Sequence, residues 1–355
     1  MVRKYFYIGL DVHKRTTYYA VRDWDGKTVI EGECASTFRD LWSILEPYTS
    51  CCKITLEAST YFYFIYDEFK KRNVEIIVAN TLQLRKLVGK NDRLDAARLS
   101  DMLRLTTIPE SFIPGKVVQY LRSLCLLRYN CVGECTRLKN QIHAYLDSKG
   151  VRIPVRTPFS KKWCNHLCDY INENNPFELN YLYQAEQQSE KRLLILDKEI
   201  SSYVEENFSD TSELLMSIPG IGQIWSAFII AQVGTISRFS DKRKLRRYAG
   251  VVPVRDESAH KSKKEYLPKM SSRKLLRLAL VQAAHSAVKV KGNLQEYYKK
   301  KKRQKQFTQQ AIMCVASSLS DILYHVLSTG KPYNAHSRNE VVMSDALPTT
   351  EGFVS

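Results

Sequence analysis

The chain lacks the features that would place it outside the cell or in a membrane. Its 355 residues contain no apolar run that approaches membrane-spanning length, and no charged segment followed by an apolar one precedes the first strand. Its nine cysteines are an odd number, scattered without a framework in a chain too large to need disulfide cross-links. We therefore expect neither a secreted nor a membrane protein, and we expect free thiols in a reducing cytoplasm.

Acidic residues are few relative to basic ones. The chain has 54 Lys and Arg against 37 Asp and Glu, a formal net charge of +17. Residues 241–305 alone hold 21 basic and 5 acidic residues, a local charge of 21 − 5 = +16. A membrane-surface helix would need one uninterrupted basic face, whereas Pro253 and Pro268 interrupt this region. The charge therefore favours nucleic acid as the polyanionic partner.

The periodicity of apolar residues divides the chain into parts. Residues 1–110 alternate strand and helix, and the strands predicted at 5–12, 16–23 and 27–34 match an antiparallel meander. This order predicts an α/β domain with the mixed sheet of an RNase H-like fold. Long helical patterns over 111–210 predict a coiled-coil arm that links the domains. Residues 211–335 are predicted to form a mainly α-helical basic domain, and 336–355 a flexible polar tail.

Four acidic residues stand at the ends of predicted strands or at the start of a helix. Asp11 follows the apolar segment 7–10, and Glu57 ends the apolar strand 54–56. Asp92 and Asp95 are three residues apart on one face at the start of a predicted helix. Singly, each is explained as a polar strand end or as a helix-capping acid. Together they form the kind of oxygen-rich set that holds two Mg²⁺ about 4 Å apart for phosphodiester chemistry.

Two shorter patterns leave alternatives open. Cys164, His166 and Cys168 have a spacing that suits zinc, but a fourth ligand is not evident, so buried reduced thiols are favoured. The segment 217–222, Ser-Ile-Pro-Gly-Ile-Gly, predicts a turn between two helices. Either it presents backbone amides to a DNA phosphate, or its glycines only satisfy the geometry of a helix terminus.

A run of five cations follows Tyr297 and Tyr298. We expect the cations to contact phosphates and the tyrosines to be available for base stacking. A solvated helix face is the usual explanation of such a run, but the adjoining basic region favours nucleic acid here. The cations are Lys299, Lys300, Lys301, Lys302 and Arg303.

The ordered set of motifs resembles the insertion sequence 110 family of transposases, together with the related Piv-type DNA invertases. The resemblance spans nearly the whole chain, with its motifs in the right order. It is carried by segments 8–14 (IGLDVHK), 56–59 (LEAS), 90–97 (KNDRLDAA), 217–222 (SIPGIG) and 247–253 (RYAGVVP), the last leading to Ser258.

The resemblance implies a RuvC-like domain whose acidic tetrad is Asp11, Glu57, Asp92 and Asp95. These acids would bind Mg²⁺, two ions being expected, with Mn²⁺ as an alternative. The resemblance also implies a coiled-coil region used in dimerisation, and a C-terminal domain whose catalytic serine is Ser258. Implied partners are double-stranded donor and target DNA, a structured non-coding bridge RNA, and further copies of the chain in a dimer or tetramer. The implied location is the nucleoid of a prokaryotic cytoplasm.

The residues around Ser258 suit a nucleophilic role. An alcohol needs a base or metal to activate it and cations to stabilise the attacked phosphate. Nearby cations that we expect to bind nucleic acid are Arg255, Lys261, Lys263 and Lys264. Without the resemblance, Ser258 would be one more hydroxyl in a solvated basic loop. The chain departs from the family pattern at Ala259, where members carry Gly, and at Ser271-Ser272, where they carry Gly-Asn.

The leading hypothesis is a site-specific recombinase that exchanges DNA strands through a serine-phosphate intermediate, and three other functions compete with it. A Holliday-junction resolvase would use only the acids and metal-activated water, with Ser258 structural. A catalytically silent nucleic-acid-binding protein would leave the acids unused. An actin-like ATPase or sugar kinase would use segment 9–11 as a phosphate loop. That class needs a second Gly-rich loop, which the sequence does not offer.

Overall fold

The computed structural model describes two compact units, Met1–Ile113 and Pro114–Ser355. We call them the N-terminal unit and the C-terminal unit. The described residues are 5–58, 61–81, 83–84, 95–252, 254–255, 265–266, 274–305 and 307–334.

A mixed sheet forms the centre of the N-terminal unit. Its strands are β1 (Phe6–Val12), β2 (Thr16–Arg22), β3 (Thr28–Ala35), β4 (Cys52–Glu57) and β5 (Glu75–Ala79), in the order β3-β2-β1-β4-β5. The first three strands pair antiparallel, while β4 runs parallel to β1 and β5 parallel to β4. The predicted meander and the α/β character of this region are confirmed, and the topology is consistent with an RNase H-like fold.

The two faces of this sheet are covered by different helices. Helices α1 (Phe38–Leu45) and α2 (Phe62–Lys71) pack on one face, where their apolar side chains join those of β1 and β4 in a core. Helix α3 (Ala96–Arg104) packs on the other face against β1, β2 and β4. Because successive side chains along a strand point to opposite faces, every second residue enters the apolar core and the others lie on the face under α3.

Two long antiparallel helices open the C-terminal unit. They are α4 (Lys116–Ser148) and α6 (Phe177–Met216), with α5 (Lys161–Asn174) between them in the chain. Ion pairs join Lys139 to Glu190 at 2.6 Å and Arg192 to Glu134 at 3.1 Å. At the tip of this pair, Trp163 of α5 packs into a small apolar core of its own. The helical patterns expected within 111–210 are present, while the domain boundaries placed there stay a prediction.

The rest of the C-terminal unit is mainly helical, with one short strand pair. Its elements are α7 (Gln223–Val233), α8 (Lys242–Ala249), β6 (Val254–Arg255), β7 (Glu265–Tyr266), α9 (Lys274–Ala287), α10 (Asn293–Gln304) and α11 (Thr308–Thr329). The sequence predicted only a loop where β6 and β7 pair antiparallel. Strands of two residues are too short to leave a periodic apolar pattern, so sequence reasoning misses them.

Helix α11 is the central helix of this unit. Its 22 residues are long and apolar enough to cross a membrane by length and composition, which corrects the expectation of no such run. Val315, Leu319 and Leu323 lie fully buried among the side chains of the surrounding helices. Packing in the core of the unit therefore accounts for its apolar character.

Candidate metal site and nucleic-acid-binding surface

Asp11 lies near the carboxyl end of β1 on the face that α3 covers. Its neighbours Leu10 and Val12 point into the apolar core on the opposite face. The Asp11 side chain is 16% exposed, and its Oδ2 lies 3.1 Å from Nε2 of His13. The central strand thus places a half-buried carboxylate near its carboxyl end, where a cation can reach it.

Glu57 lies at the same level on the neighbouring strand. The parallel register of β1 and β4 pairs Leu10 with Leu56, so Asp11 and Glu57 are the next residues along the two strands. Both leucines are buried in the same core, which puts both carboxylates on the opposite face. Adjacent strands are about 4.8 Å apart, so this register brings the two acids close together.

Asp95 lies above the sheet, toward the same carboxyl ends of β1 and β4. A Cβ added to Gly9 would lie 2.0 Å from the carbonyl oxygen of Ala96, so α3 starts almost in contact with β1. The other end of α3 lies near the start of β1. There Arg104 packs against Gly26, in the turn between β2 and β3. The helix therefore begins toward the end of β1 that carries Asp11.

The Asp95 side chain also has a local structural role. It is the N-cap of α3, and its Oδ1 accepts a hydrogen bond of 2.7 Å from the backbone amide of Arg98. This is the capping role that the sequence left open for it, and it leaves the second carboxylate oxygen for other ligands. Asp92, the fourth predicted acid, lies outside the described residues.

The chemistry of these donors fits a hard divalent cation. Carboxylate oxygens are the ligands that Mg²⁺ and Mn²⁺ prefer, and Asp11, Glu57 and Asp95 stand at one edge of the sheet. Within the described ranges, however, no three Asp, Glu, His or Cys side chains are close enough together to hold a metal ion. The described acids alone are thus not a complete ligand set, and Asp92 is the predicted residue that would complete it.

Most of the predicted residues around the serine lie outside the described part of the chain. These are Ser258, Lys261, Lys263 and Lys264, and of Arg255 only the backbone is described, in β6 opposite Glu265. The strand pair thus brackets the serine segment, which runs between β6 and β7. The roles of these residues stay predictions.

The predicted cation run lies on α10 and is largely solvent-exposed. Lys299, Lys300, Lys302 and Arg303 are exposed, whereas Lys301 is half-buried with its Nζ 5.4 Å from the ring centre of Tyr297. Tyr297 and Tyr298 pack against the core of the unit. The lysines are thus available to phosphates, while little of the two tyrosine rings is available for base stacking.

The turn at 217–222 links α6 to α7, and its glycines differ. Gly220 has a φ of +90°, and a Cβ there would lie 2.2 Å from the carbonyl oxygen of Ala283 on α9. Close packing and backbone geometry therefore explain Gly220 without a ligand. Gly222 has open space around it and precedes α7 with no side-chain cap. Phosphate binding by the amides at this helix start stays a prediction.

The predicted thiol and imidazole set does not converge on one point. Cys164 and Cys168 lie half-buried on one side of α5, where the Cys168 Sγ is 3.5 Å from the hydroxyl of Tyr183. His166 is exposed, because a residue two positions along a helix points to the opposite side. Burial raises the pKa of the Cys164 thiol, which disfavours the thiolate that zinc requires.

One basic helix was not singled out from the sequence. Helix α8 (KRKLRRYA) turns Leu245 and Ala249 into the core and leaves Arg243, Lys244 and Arg247 exposed. The available signal was Asp241, a capping acid placed directly before a cationic segment with apolar residues four apart. In the sequence these cations contribute to the net charge of residues 241–305 without marking a separate element.

Comparison with known proteins gives a consistent family assignment. The model of the DEDD transposase of IS110 elements matches residues 8–150, which include all four predicted acids, and the transposase IS116/IS110/IS902 family model matches residues 212–299, which include Ser258.

Individual relatives agree with these matches. The chain is 30% identical over 141 residues to the insertion element IS116 uncharacterized 44.8 kDa protein of Streptomyces clavuligerus, covering 38% of this chain and 35% of the relative. It is 26% identical to the transposase for insertion sequence element IS1111A of Coxiella burnetii, over 69% of this chain and 68% of the relative. It is 21% identical to the transposase for IS1328 of Yersinia enterocolitica, over 78% and 82% of the two chains. The chain therefore belongs to the IS110 family of transposases, enzymes that act in DNA transposition.

Proposed function

We propose that this chain cuts and exchanges DNA strands at the ends of a mobile element, using carboxylate-bound divalent cations and a serine nucleophile. The observation that carries the proposal is the parallel register that sets Asp11 beside Glu57, with the start of α3 and Asp95 toward the same edge. Mg²⁺ is the expected ion, two ions being the expected number, because the donors are carboxylate oxygens. When bound, the ions supply positive charge that polarises a phosphate oxygen and stabilises the transition state.

The serine chemistry conserves the energy of the phosphodiester bond. The hydroxyl oxygen of Ser258 bonds to the DNA phosphorus, the bond from phosphorus to one deoxyribose oxygen breaks, and the serine proton ends on that oxygen. A deoxyribose hydroxyl of the recipient strand then attacks the phosphoserine, and Ser258 regains a proton as it leaves. No ATP is needed, because each bond that breaks is replaced by an equivalent one.

The partners follow from charge and from the resemblance to the family. Double-stranded donor and target DNA, and a structured bridge RNA that selects them, would contact the cations near Ser258 and those on α10. These cations are Arg255, Lys261, Lys263, Lys264, Lys299, Lys300, Lys301, Lys302 and Arg303. The apolar side chains Leu127, Leu194 and Ile195 are more than half exposed on the long helices α4 and α6, which supports a homodimer or tetramer.

The proposal is tested by following DNA strands on denaturing gels with and without protease. The purified protein, with copurified RNA retained, is incubated with Mg²⁺ and DNA that carries candidate element ends. We expect a protein-linked DNA band that is lost in Ser258→Ala, in Asp11→Asn and in Glu57→Gln. The exposed acid Glu31 on β3 provides a matched control, and Glu31→Gln should keep the band. Ribonuclease treatment before the reaction should abolish it if a bridge RNA selects the DNA.

Two other outcomes would contradict parts of the proposal. Free cleaved ends that persist in Ser258→Ala would make the protein a metal-dependent nuclease or junction resolvase that uses water. DNA binding without any metal-dependent cleavage, in wild type as in the variants, would indicate a non-catalytic nucleic-acid-binding protein.

A further inference from the structure

Helix α8 divides its cations between two faces. Leu245 and Ala249 pack into the core of the C-terminal unit, and Arg246 on the same side pairs with Asp321 of α11 at 2.9 Å. Arg243, Lys244 and Arg247 are exposed to solvent. The inward cation is therefore explained by packing, whereas the three outward cations need another explanation.

The backbone of α8 is held at both ends. The Oδ1 of Asp241 accepts hydrogen bonds from the backbone amides of Arg243 at 2.7 Å and Lys244 at 3.0 Å. At the other end Gly250, with a φ of +67°, closes the helix with the left-handed geometry that glycine favours. The three outward cations consequently project from a rigid element and not from a loose chain.

The outward charges are only partly compensated locally, by the attraction between the Asp241 carboxylate and Lys244. Among the described residues, no ion pair involves Arg243, Lys244 or Arg247. Arg243 and Arg247 stand four residues apart, about 6 Å along the helix axis, where like charges destabilise a helix. The arrangement thus works against the stability of α8, and a bound polyanion would relieve the repulsion.

Cations of α10 approach the same side of α11. Burial raises the pKa of the Cys314 thiol, and Lys301 of α10 and Lys305, which directly follows α10, lie close enough to oppose that rise. Asp321, the partner of Arg246, stands seven residues after Cys314. Seven residues make nearly two helical turns, so both positions share one face of α11, about 10 Å apart along its axis. Arg246 of α8 and the cations Lys301 and Lys305 therefore lie along one side of the central helix.

We propose that the outward face of α8, formed by Arg243, Lys244 and Arg247, binds the sugar-phosphate backbone of duplex DNA. The inference rests on the proposed function in taking DNA as the substrate. Proteins that bind single strands add aromatic stacking surfaces to their cations. The one aromatic residue of α8, Tyr248, is engaged instead within the protein, where its hydroxyl donates to the carbonyl of Gln232 and its ring packs on Arg238. The face therefore positions a duplex without reading its sequence.

The test measures binding of the full-length protein to a random-sequence DNA duplex in EDTA, where cleavage does not interfere. The variant is Arg243→Gln, Lys244→Gln, Arg247→Gln, and the affinity is followed by fluorescence anisotropy over a series of salt concentrations. We expect roughly tenfold weaker binding at low salt, and a slope of log K against log salt that is less steep by up to about 2.7, since each phosphate contact contributes about 0.9.

A matched control removes the same charge elsewhere. Arg137→Gln, Lys191→Gln, Lys198→Gln neutralises three exposed cations of α4 and α6 and should keep the wild-type slope. A second variant, Arg243→Lys with Arg247→Lys, keeps the charge and should also keep the slope. Thermal melting of each variant checks that the fold is intact.

Several results would overturn the inference. One is a wild-type slope in the α8 variant, and another is an equal loss in the control. A loss confined to an RNA duplex of the same sequence would assign the face to RNA. If wild type binds DNA with no salt dependence, the proposed function itself fails, and this outcome is distinct because it does not depend on α8.

Discussion

Arg246 on α8 and Asp321 on α11 form an ion pair in which the Arg246 Nε lies 2.9 Å from the Asp321 Oδ1, and only 12% and 11% of their side chains are exposed. Burial raises the pKa of the Asp321 carboxyl, while the Arg246 guanidinium opposes that rise. The pair ties the helix that precedes the serine segment to the central helix of the C-terminal unit.

Removing the carboxylate should therefore destabilise this unit. Asp321→Ala leaves Arg246 without this partner in a nearly buried site, a change that typically costs about 3–5 kcal/mol. Urea unfolding at neutral pH measures the loss, with the exposed Asp210→Ala as control. The double replacement Arg246→Met with Asp321→Leu should cost less, because no charge is left buried. An unchanged unfolding midpoint in Asp321→Ala would show that the pair contributes nothing.

Gly9→Ala should impair the candidate metal site without touching an acid. The added Cβ would lie 2.0 Å from the carbonyl oxygen of Ala96, so α3 and Asp95 must move away from β1. We expect a loss of stability of roughly 1–3 kcal/mol and a loss of metal-dependent DNA cleavage. Gly133→Ala is the control, since that glycine has open space within α4 and alanine favours a helix. Full cleavage activity in Gly9→Ala would contradict the placement of α3.

Gly220→Ala and Gly222→Ala should differ, although the two residues belong to one motif. Gly220 has a positive φ and lies against Ala283, so alanine there should cost roughly 1–3 kcal/mol of folding stability. Gly222 is open and has a φ of −101°, so alanine there should leave stability nearly unchanged. Denaturant unfolding of the two variants measures the difference, and equal losses would refute the packing explanation.

Asp241 should make α8 sensitive to acid. Hydrogen bonds from the backbone amides of Lys244 and Arg243 lower the pKa of its carboxyl below the ordinary value of 3.8. The unfolded chain therefore binds the proton first, and the stability from the charged cap is present above that value and lost as pH falls through the folded pKa. Asparagine also caps helices but carries no charge, so wild type should lose its advantage over Asp241→Asn as pH falls from about 7 to about 3. A constant difference between the two proteins over that range would contradict this.

Local patterns carried much of the fold prediction. The meander β1 to β3 and the long helices α4 and α6 were predictable because apolar alternation and helical periodicity depend on neighbouring residues. The pair β6 and β7 was not, because two-residue strands leave no period. Likewise the membrane-length apolar character of α11 reflects the burial of most of its apolar side chains within the unit, which a sequence does not separate from lipid exposure.

The candidate acids could be named from the sequence, but their arrangement could not, and their roles stay predictions. The residue types and their order named Asp11, Glu57, Asp92 and Asp95, and the family matches include all four. That Asp11 and Glu57 stand at one level depends on the register between strands more than forty residues apart in the chain. His166 shows that spacing alone can mislead. Its distance in sequence from Cys164 and Cys168 suited zinc, but the helix places its side chain on the opposite, exposed side.

The sequence by itself determined the strongly basic character, the alternation of strands and helices, and the order of motifs that resembles the family, because charge, periodicity and motif order are properties of the chain alone. Only the tertiary structure decided which carboxylates are neighbours, how closely α3 approaches Gly9, and which cations of α8 face the solvent. Those outcomes depend on contacts between distant segments, where strand register and helix packing select one face of each element. Here the same cationic segment contains Arg246, which pairs with the mostly buried Asp321, and Arg247, which faces solvent.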